Sequence, residues 1–273
     1  MMYSPIVYCK WDLKSKFLYH KQIEIYVDRM PSTVKKDDVV RIIILQEPHS
    51  ISNLVPKILR NDDLYDYVFT YYEPLLSNKK AVLFIGISCW VHDYIFPQKE
   101  FGVSTVVGGK SGKNLEGHWI RRDLWSRRGE IKTPTKFYLS SHCVIRGEDY
   151  GSNLVLRDKK EPLFDTMFSI SIENTKMTNV FSEKLIDCLR TKTVPIYYGA
   201  PNIGDYFDIN GILVADSTQR IIDIANGLTP DLYFKMQDSI EANYVRPEEY
   251  VYFVSNLDKR LNETLNNNGS KEG

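Results

Sequence analysis

The sequence predicts an α/β fold built on parallel strands. Two observations carry this. The stretch 168–207, FSISIENTKMTNVFSEKLIDCLRTKTVPIYYGAPNIGDYF, reads as strand, loop, helix, strand and turn, the β-α-β unit of a doubly wound sheet. Two continuous apolar runs, VVRIIIL at 39–45 and AVLFIGI at 81–87, have the pattern of parallel strands buried on both faces. A chain of 273 residues accommodates one large or two small domains of this class.

Composition narrows the functional classes. Lysine plus arginine equals aspartate plus glutamate at 35 each, so no global basic field argues for nucleic acid and no acidic tail for a basic partner. The 18 tyrosines suit a sugar-binding cleft but are equally ordinary core and rim residues. Cys9, Cys89, Cys143 and Cys188 show no C-x-x-C spacing. This predicts neither a zinc site nor a disulfide framework, but a reduced, cytosol-type chain. MMYSPIVYCKWDLK lacks an apolar leader, and no segment has the apolar length of a membrane span. The sequons at Asn262 and Asn268 matter only in a secretory lumen.

Taken in order, Ile6-Val7-Tyr8 and Ile23 to Val27 read as opening strands, and Lys35 to Asp38 as a solvated turn. The 39–45 strand ends at Gln46-Glu47-Pro48-His49, which places Glu47 at the carboxyl edge of the sheet, where ligands bind. Glu47 and His49 are both candidate general bases. The plainer readings are a strand-end glutamate in water and a helix cap. A helix is expected over 51–59, then strands over 65–72 and 81–87. Asp62, Asp63 and Asp66 form no D-x-D at a strand end, so no metal site is expected there. Pro97 to Glu100 is a polar break that sets a domain boundary. After the strand 101–107, Gly108 to Lys113 falls one residue short of the Walker spacing and lacks its Ser/Thr, which argues against an ATPase. Helix 117–128 carries Arg121, Arg122, Arg127 and Arg128, a basic face unless a phosphate draws on it. Ser182 caps the helix whose apolar face is Leu185, Ile186 and Leu189. Beyond it, helices are expected over 219–228 and from Pro230 to about Glu241.

ENT at 173–175, SEK at 182–184 and VPIYYGAP at 194–201 together resemble the nucleotide-sugar signature of glycosyltransferase family 10, the α-1,3/4-fucosyltransferases. The match spans about forty residues with the family's internal spacing. It implies the GT-B architecture, two Rossmann-like domains facing a cleft. The domains are then 1–97 on the acceptor side and 98–245 for the nucleotide sugar, with a 246–265 segment crossing back and a flexible tail at 266–273. It also implies an inverting, metal-independent transfer of a sugar from a nucleotide diphosphate donor to a glycan hydroxyl, with no cofactor beyond that co-substrate. The resemblance to anchorless bacterial and large-virus members implies a soluble, cytoplasmic protein.

Position by position, the resemblance makes Glu47 the catalytic base and Arg121 a phosphate contact. Asn174 holds the donor, Glu183 the ribose hydroxyls and Lys184 the diphosphate. The plainer account makes Ser182-Glu183 a helix start and Lys184 a surface charge. His49, Trp90, His92, Trp119 and Tyr198 are candidate walls of the acceptor or donor site. One departure bears on the donor: Val180 stands where many members have tyrosine three residues before the glutamate of E-K. GDP-fucose therefore competes with a UDP-sugar such as UDP-xylose, and a non-catalytic glycan- or nucleotide-binding protein is the third reading.

Overall fold

A computed structural model of the chain describes residues 2–9, 19–47, 53–96, 98–108, 115–140, 154–156 and 159–269. These form two compact units. One comprises Met1–Ser88, Thr178–Val180 and Glu249–Gly273, the other Cys89–Met177 and Phe181–Glu248.

The first unit is a five-stranded parallel sheet of β1 (Ile6–Tyr8), β2 (Gln22–Val27), β3 (Val39–Ile44), β4 (Tyr67–Thr70) and β5 (Ala81–Leu83), in that spatial order. Helices α1 (Val55–Arg60) and α2 (Glu73–Leu76) connect its later strands. Pro56 sits in the first turn of α1, where its missing N–H costs nothing. Ile23, Ile25, Ile42, Ile44 and Phe69 form the core, so the β-branched run is indeed buried. Arg41 is the exception inside it. Its Nε donates to Glu24 Oε2 at 2.6 Å, and its guanidinium donates to Thr33 O at 2.6 Å and Thr33 Oγ1 at 2.9 Å. An opposite charge and hydrogen-bond acceptors are what make a buried charge tolerable. The 81–87 run is strand only as far as Leu83.

The second unit contains β6 (Glu100–Val107), α3 (Glu116–Ser126), β7 (Thr135–Ser140), β8 (Leu154–Leu156), β9 (Thr166–Ile172), α4 (Glu183–Arg190), β10 (Val194–Tyr198), β11 (Leu213–Val214), α5 (Thr218–Asn226), α6 (Pro230–Lys235) and α7 (Gln237–Val245). The strand order is β11-β10-β9-β6-β7-β8, all parallel. β6 to β8 build outward on one side and β9 to β11 on the other, so the topology switches between β6 and β9. That is where doubly wound sheets open a crevice at their carboxyl ends. Phe168, Ile170 and Ile172 of β9 pack with Ile120 and Leu124 of α3 and Ile221 and Ile222 of α5. Val91, Leu163, Phe164 and Cys188 form a second cluster.

The chain enters this unit at Cys89, ahead of the polar break, so Trp90 and His92 belong with the second sheet. The helix expected from Pro230 is interrupted at Met236, whose N–H is shared between the carbonyls of Leu232 and Tyr233. After α8 (Glu248–Val251), the final α9 (Phe253–Gly269) adds Leu257 and Leu261 to the core of the first unit. α9 continues through Asn266 to Gly269, where polar composition predicts a tail. Cys89 and Cys188 are free thiols, and no described helix is long and apolar enough to cross a membrane. His49, the Gly-rich turn at 109–113 and Cys143 lie outside the described residues.

Candidate functional site

All seven residues of β9 are buried, and the strand delivers Glu173 and Asn174 to the switch point. The Glu173 N–H donates to Tyr198 O of β10 at 2.8 Å, keeping the strand pair closed. The Glu173 carboxylate turns toward the start of α4. Ser182 N–H donates to its Oε1 at 2.8 Å and Ser182 Oγ donates to its Oε2 at 2.6 Å. Ser182 is the N-cap, accepting from Lys184 N–H, as the sequence predicts.

Two charged side chains follow from that anchor. Lys184 Nζ lies 2.7 Å from Glu183 Oε1, 3.0 Å from Ser182 Oγ and 3.8 Å from Glu173 Oε2. Burial alone would raise the Glu183 pKa, but the Lys184 charge and hydrogen bond outweigh it and hold the carboxyl below its ordinary value. For the fully enclosed Glu173, burial prevails over Lys184 and its pKa is raised.

Helix α3 approaches from the other side of the strand end. Gly117 N–H donates to Asn174 O at 3.1 Å, and a Cβ on Gly117 would overlap the Glu173 carbonyl oxygen. Only glycine allows this approach. It brings Arg121 Nη2 to Ile172 O and to Asn174 Oδ1, the latter at 2.9 Å. His118, with its proton on Nε2, donates to the same Oδ1 at 3.2 Å. Burial and the Arg121 charge lower the His118 pKa, so the ring is neutral at pH 7. Asn174 Oδ1 thus accepts twice.

His118, Arg121, Asn174, Glu183 and Lys184 line a cavity of about 320 Å³ together with Trp90, Thr105, Lys160, Ser171 and Asp187. Its lining combines apolar walls with a few convergent polar groups, as small-molecule sites do. Trp90 is half exposed, with Lys160 Nζ and Lys184 Nζ each 5.6 Å from its ring centre. Asp187, wholly buried, accepts the backbone N–H groups of Trp90 (3.1 and 3.2 Å) and Val91 (3.2 Å). Burial pushes its carboxyl up to about 7 despite those amides.

The structure therefore brings together Arg121, Asn174, Glu183, Lys184 and Trp90. Four other residues named from sequence do not line this cavity. Trp119 is on the exposed face of α3, stacked with Arg122 at 4.5 Å. His92 is exposed, its Nδ1 3.4 Å from Cys89 Sγ. Tyr198 is enclosed in the core, where burial and then Glu116 raise its hydroxyl pKa. Glu47 belongs to the first unit. Its side chain is exposed, while its N–H donates to Asp28 Oδ1 (3.1 Å) and its carbonyl accepts from Tyr71 Oη (2.7 Å). Sequence reasoning missed His118, Glu173 and Asp187 as site residues. Glu173 had a signal, since it opens the E-N-T motif. Asp187 had none, because its role depends on a loop almost a hundred positions away.

No protein-family model matches the sequence, and no characterised protein matches it by sequence comparison. Solved structures do share the fold. An α1,3-fucosyltransferase with GDP-fucose aligns at a TM-score of 0.52 and 17% identity, covering 88% of this chain and 75% of that one. TarM aligns at 0.55 and 14%, covering 88% of this chain and 54% of TarM. The pneumococcal O-GlcNAc transferase GtfA, in complex with UDP and GlcNAc, aligns at 0.50 and 12%, covering 89% and 57%. With two parallel-sheet α/β units and these likenesses, the chain has the GT-B glycosyltransferase fold.

Proposed function

We propose that this protein is an inverting glycosyltransferase that uses a nucleotide diphosphate sugar and a glycan acceptor. The observation that carries this reading is the convergence of Arg121, Lys184 and Glu183 on a cavity at the switch point of the second sheet. Cations there suit a diphosphate, and a carboxylate held ionised suits vicinal ribose hydroxyls. The fold, shared with enzymes that use such donors, supports the same class.

In this reading Glu47 takes the proton of the acceptor hydroxyl as its oxygen attacks the anomeric carbon. The bond from that carbon to the phosphate oxygen breaks, and the nucleoside diphosphate leaves with its electron pair. Lys184 and Arg121 stabilise the charge that develops on it, the largest single contribution in such transfers. Direct displacement inverts the anomeric centre and asks no metal of the protein.

The family-10 signature favours GDP-fucose as donor. Val180 favours a second reading, a UDP-sugar such as UDP-xylose, because the tyrosine of the family pattern is missing. The experiment is a transfer assay with GDP-fucose, UDP-xylose and UDP-GlcNAc over a glycan array, with and without EDTA. The anomeric configuration of the product is read by NMR. Chelator-insensitive transfer with inversion supports the proposal. Donor binding without turnover on any acceptor supports a non-catalytic binding protein instead.

A further inference from the structure

Among the described residues, the cavity wall holds a buried hydroxyl without a hydrogen-bond partner. Ser171 is 4% exposed, lines the cavity, and its Oγ has no hydrogen-bond partner among the described residues. Its polar neighbours on the same strands are satisfied. Ser104 Oγ donates to Ser169 Oγ at 3.0 Å, and Thr105 Oγ1 donates to Ile170 O at 3.1 Å. Buried polar groups are nearly always paired, and one left alone lowers stability.

The strand makes the choice of residue more pointed. Phe168, Ile170 and Ile172 alternate into the apolar core, which leaves Ser169 and Ser171 on the opposite face of β9. That face meets Leu163, Phe164 and Cys188, surroundings in which a small apolar residue would pack without cost. Two nearby acceptors are already engaged: Asp187 holds the Trp90 and Val91 amides, and Asn174 Oδ1 holds Arg121 and His118. A buried hydroxyl placed here without a partner is open to a hydrogen bond from a molecule that fills the cavity.

We propose that Ser171 reads the donor: its Oγ forms a hydrogen bond with a neutral polar group of the nucleotide sugar that fills the cavity, and so helps to set which donor is accepted. This rests on the glycosyltransferase reading above. The group is neutral because the charges suited to the diphosphate are supplied by Arg121 and Lys184. It is either an edge of the base or a hydroxyl of the sugar, and both can pair with a hydroxyl that donates and accepts.

The test compares wild type with Ser171→Ala by calorimetric titration of GDP, UDP, GDP-fucose and UDP-GlcNAc, alongside thermal unfolding without ligand. The expected result is binding about tenfold weaker in Ser171→Ala, the cost of one neutral hydrogen bond, for the donor that wild type binds best. The ligand-free unfolding midpoint is unchanged or higher, because the variant removes an unpaired buried hydroxyl. Equal weakening for the free diphosphate and its sugar conjugate assigns the contact to the nucleotide. Weakening of the conjugate alone assigns it to the sugar. Equal affinities of the two proteins overturn the role of Ser171 while leaving the glycosyltransferase reading intact. A lower unfolding midpoint in the variant also overturns it, since the hydroxyl would then be structural. No nucleotide binding by wild type overturns both.

Discussion

Ser182 bonds the Glu173 carboxylate twice, through its backbone N–H at 2.8 Å and its hydroxyl at 2.6 Å. The pair fastens the end of β9 to the first turn of α4. It therefore fixes where Glu183 and Lys184 stand, one and two residues further on. A buried carboxylate that accepts both the cap residue's amide and its hydroxyl defines the geometry more firmly than the cap alone.

Removing that anchor destabilises the site. Glu173→Ala leaves the Ser182 amide without its acceptor and is expected to lower unfolding stability by about 1–3 kcal/mol. Glu173→Gln keeps one accepting oxygen and loses less. Urea denaturation of the second unit's signal checks the order, which is Ala below Gln below wild type.

Gly117 tests the approach of α3. Gly117→Ala forces a methyl group against the Glu173 carbonyl, so helix or strand must shift. Overpacking of this kind costs about 1–3 kcal/mol. Nucleotide affinity falls with it, because Arg121 and His118 ride on the same helix. Thermal unfolding and calorimetry on one preparation read both effects.

Asp187 gives a pH signature. Its pKa is raised from 3.8 to about 7, chiefly by burial, with Glu183 adding and Arg190 opposing. The folded protein therefore binds this proton more tightly than the unfolded chain does. The contribution is fully present below about pH 4 and is lost as pH rises through about 7. Asp187→Asn removes that loss, so the stability difference between variant and wild type shifts in the variant's favour from pH 5 to pH 8. The shift is on the order of a few kcal/mol. A difference that stays constant with pH contradicts the assignment.

Glu47 separates chemistry from stability. Its backbone is held by Asp28 and Tyr71, and its side chain is exposed. Glu47→Gln should leave the unfolding midpoint unchanged and lower turnover by about 10²–10⁴-fold, the usual contribution of a general base. Initial-rate measurement at saturating donor provides the check.

Much of this was legible in the chain because it is local. The β-branched run of β3, the alternation of β9 and the Ser182 cap each follow from a few consecutive residues. The positions of Arg121, Asn174, Glu183 and Lys184 were readable because a forty-residue motif carries most of them at fixed spacing. The interruption of the Pro230 helix at Met236 and the early end of β5 depend on packing that periodicity does not encode. Arg41 lies in an apolar run and is paired with Glu24 and Thr33 from neighbouring segments, a match no local pattern reveals. The same holds for Asp187, whose partners Trp90 and Val91 come from another part of the unit.

Calorimetric titration of wild type and Lys184→Met with GDP, UDP and the matching monophosphates decides whether the switch-point cavity holds a nucleoside diphosphate. One diphosphate is expected to bind wild type better than its monophosphate, to weaken with salt and to lose tenfold or more in affinity in Lys184→Met. No binding of any nucleotide, or equal affinity in the two proteins, would contradict such a site.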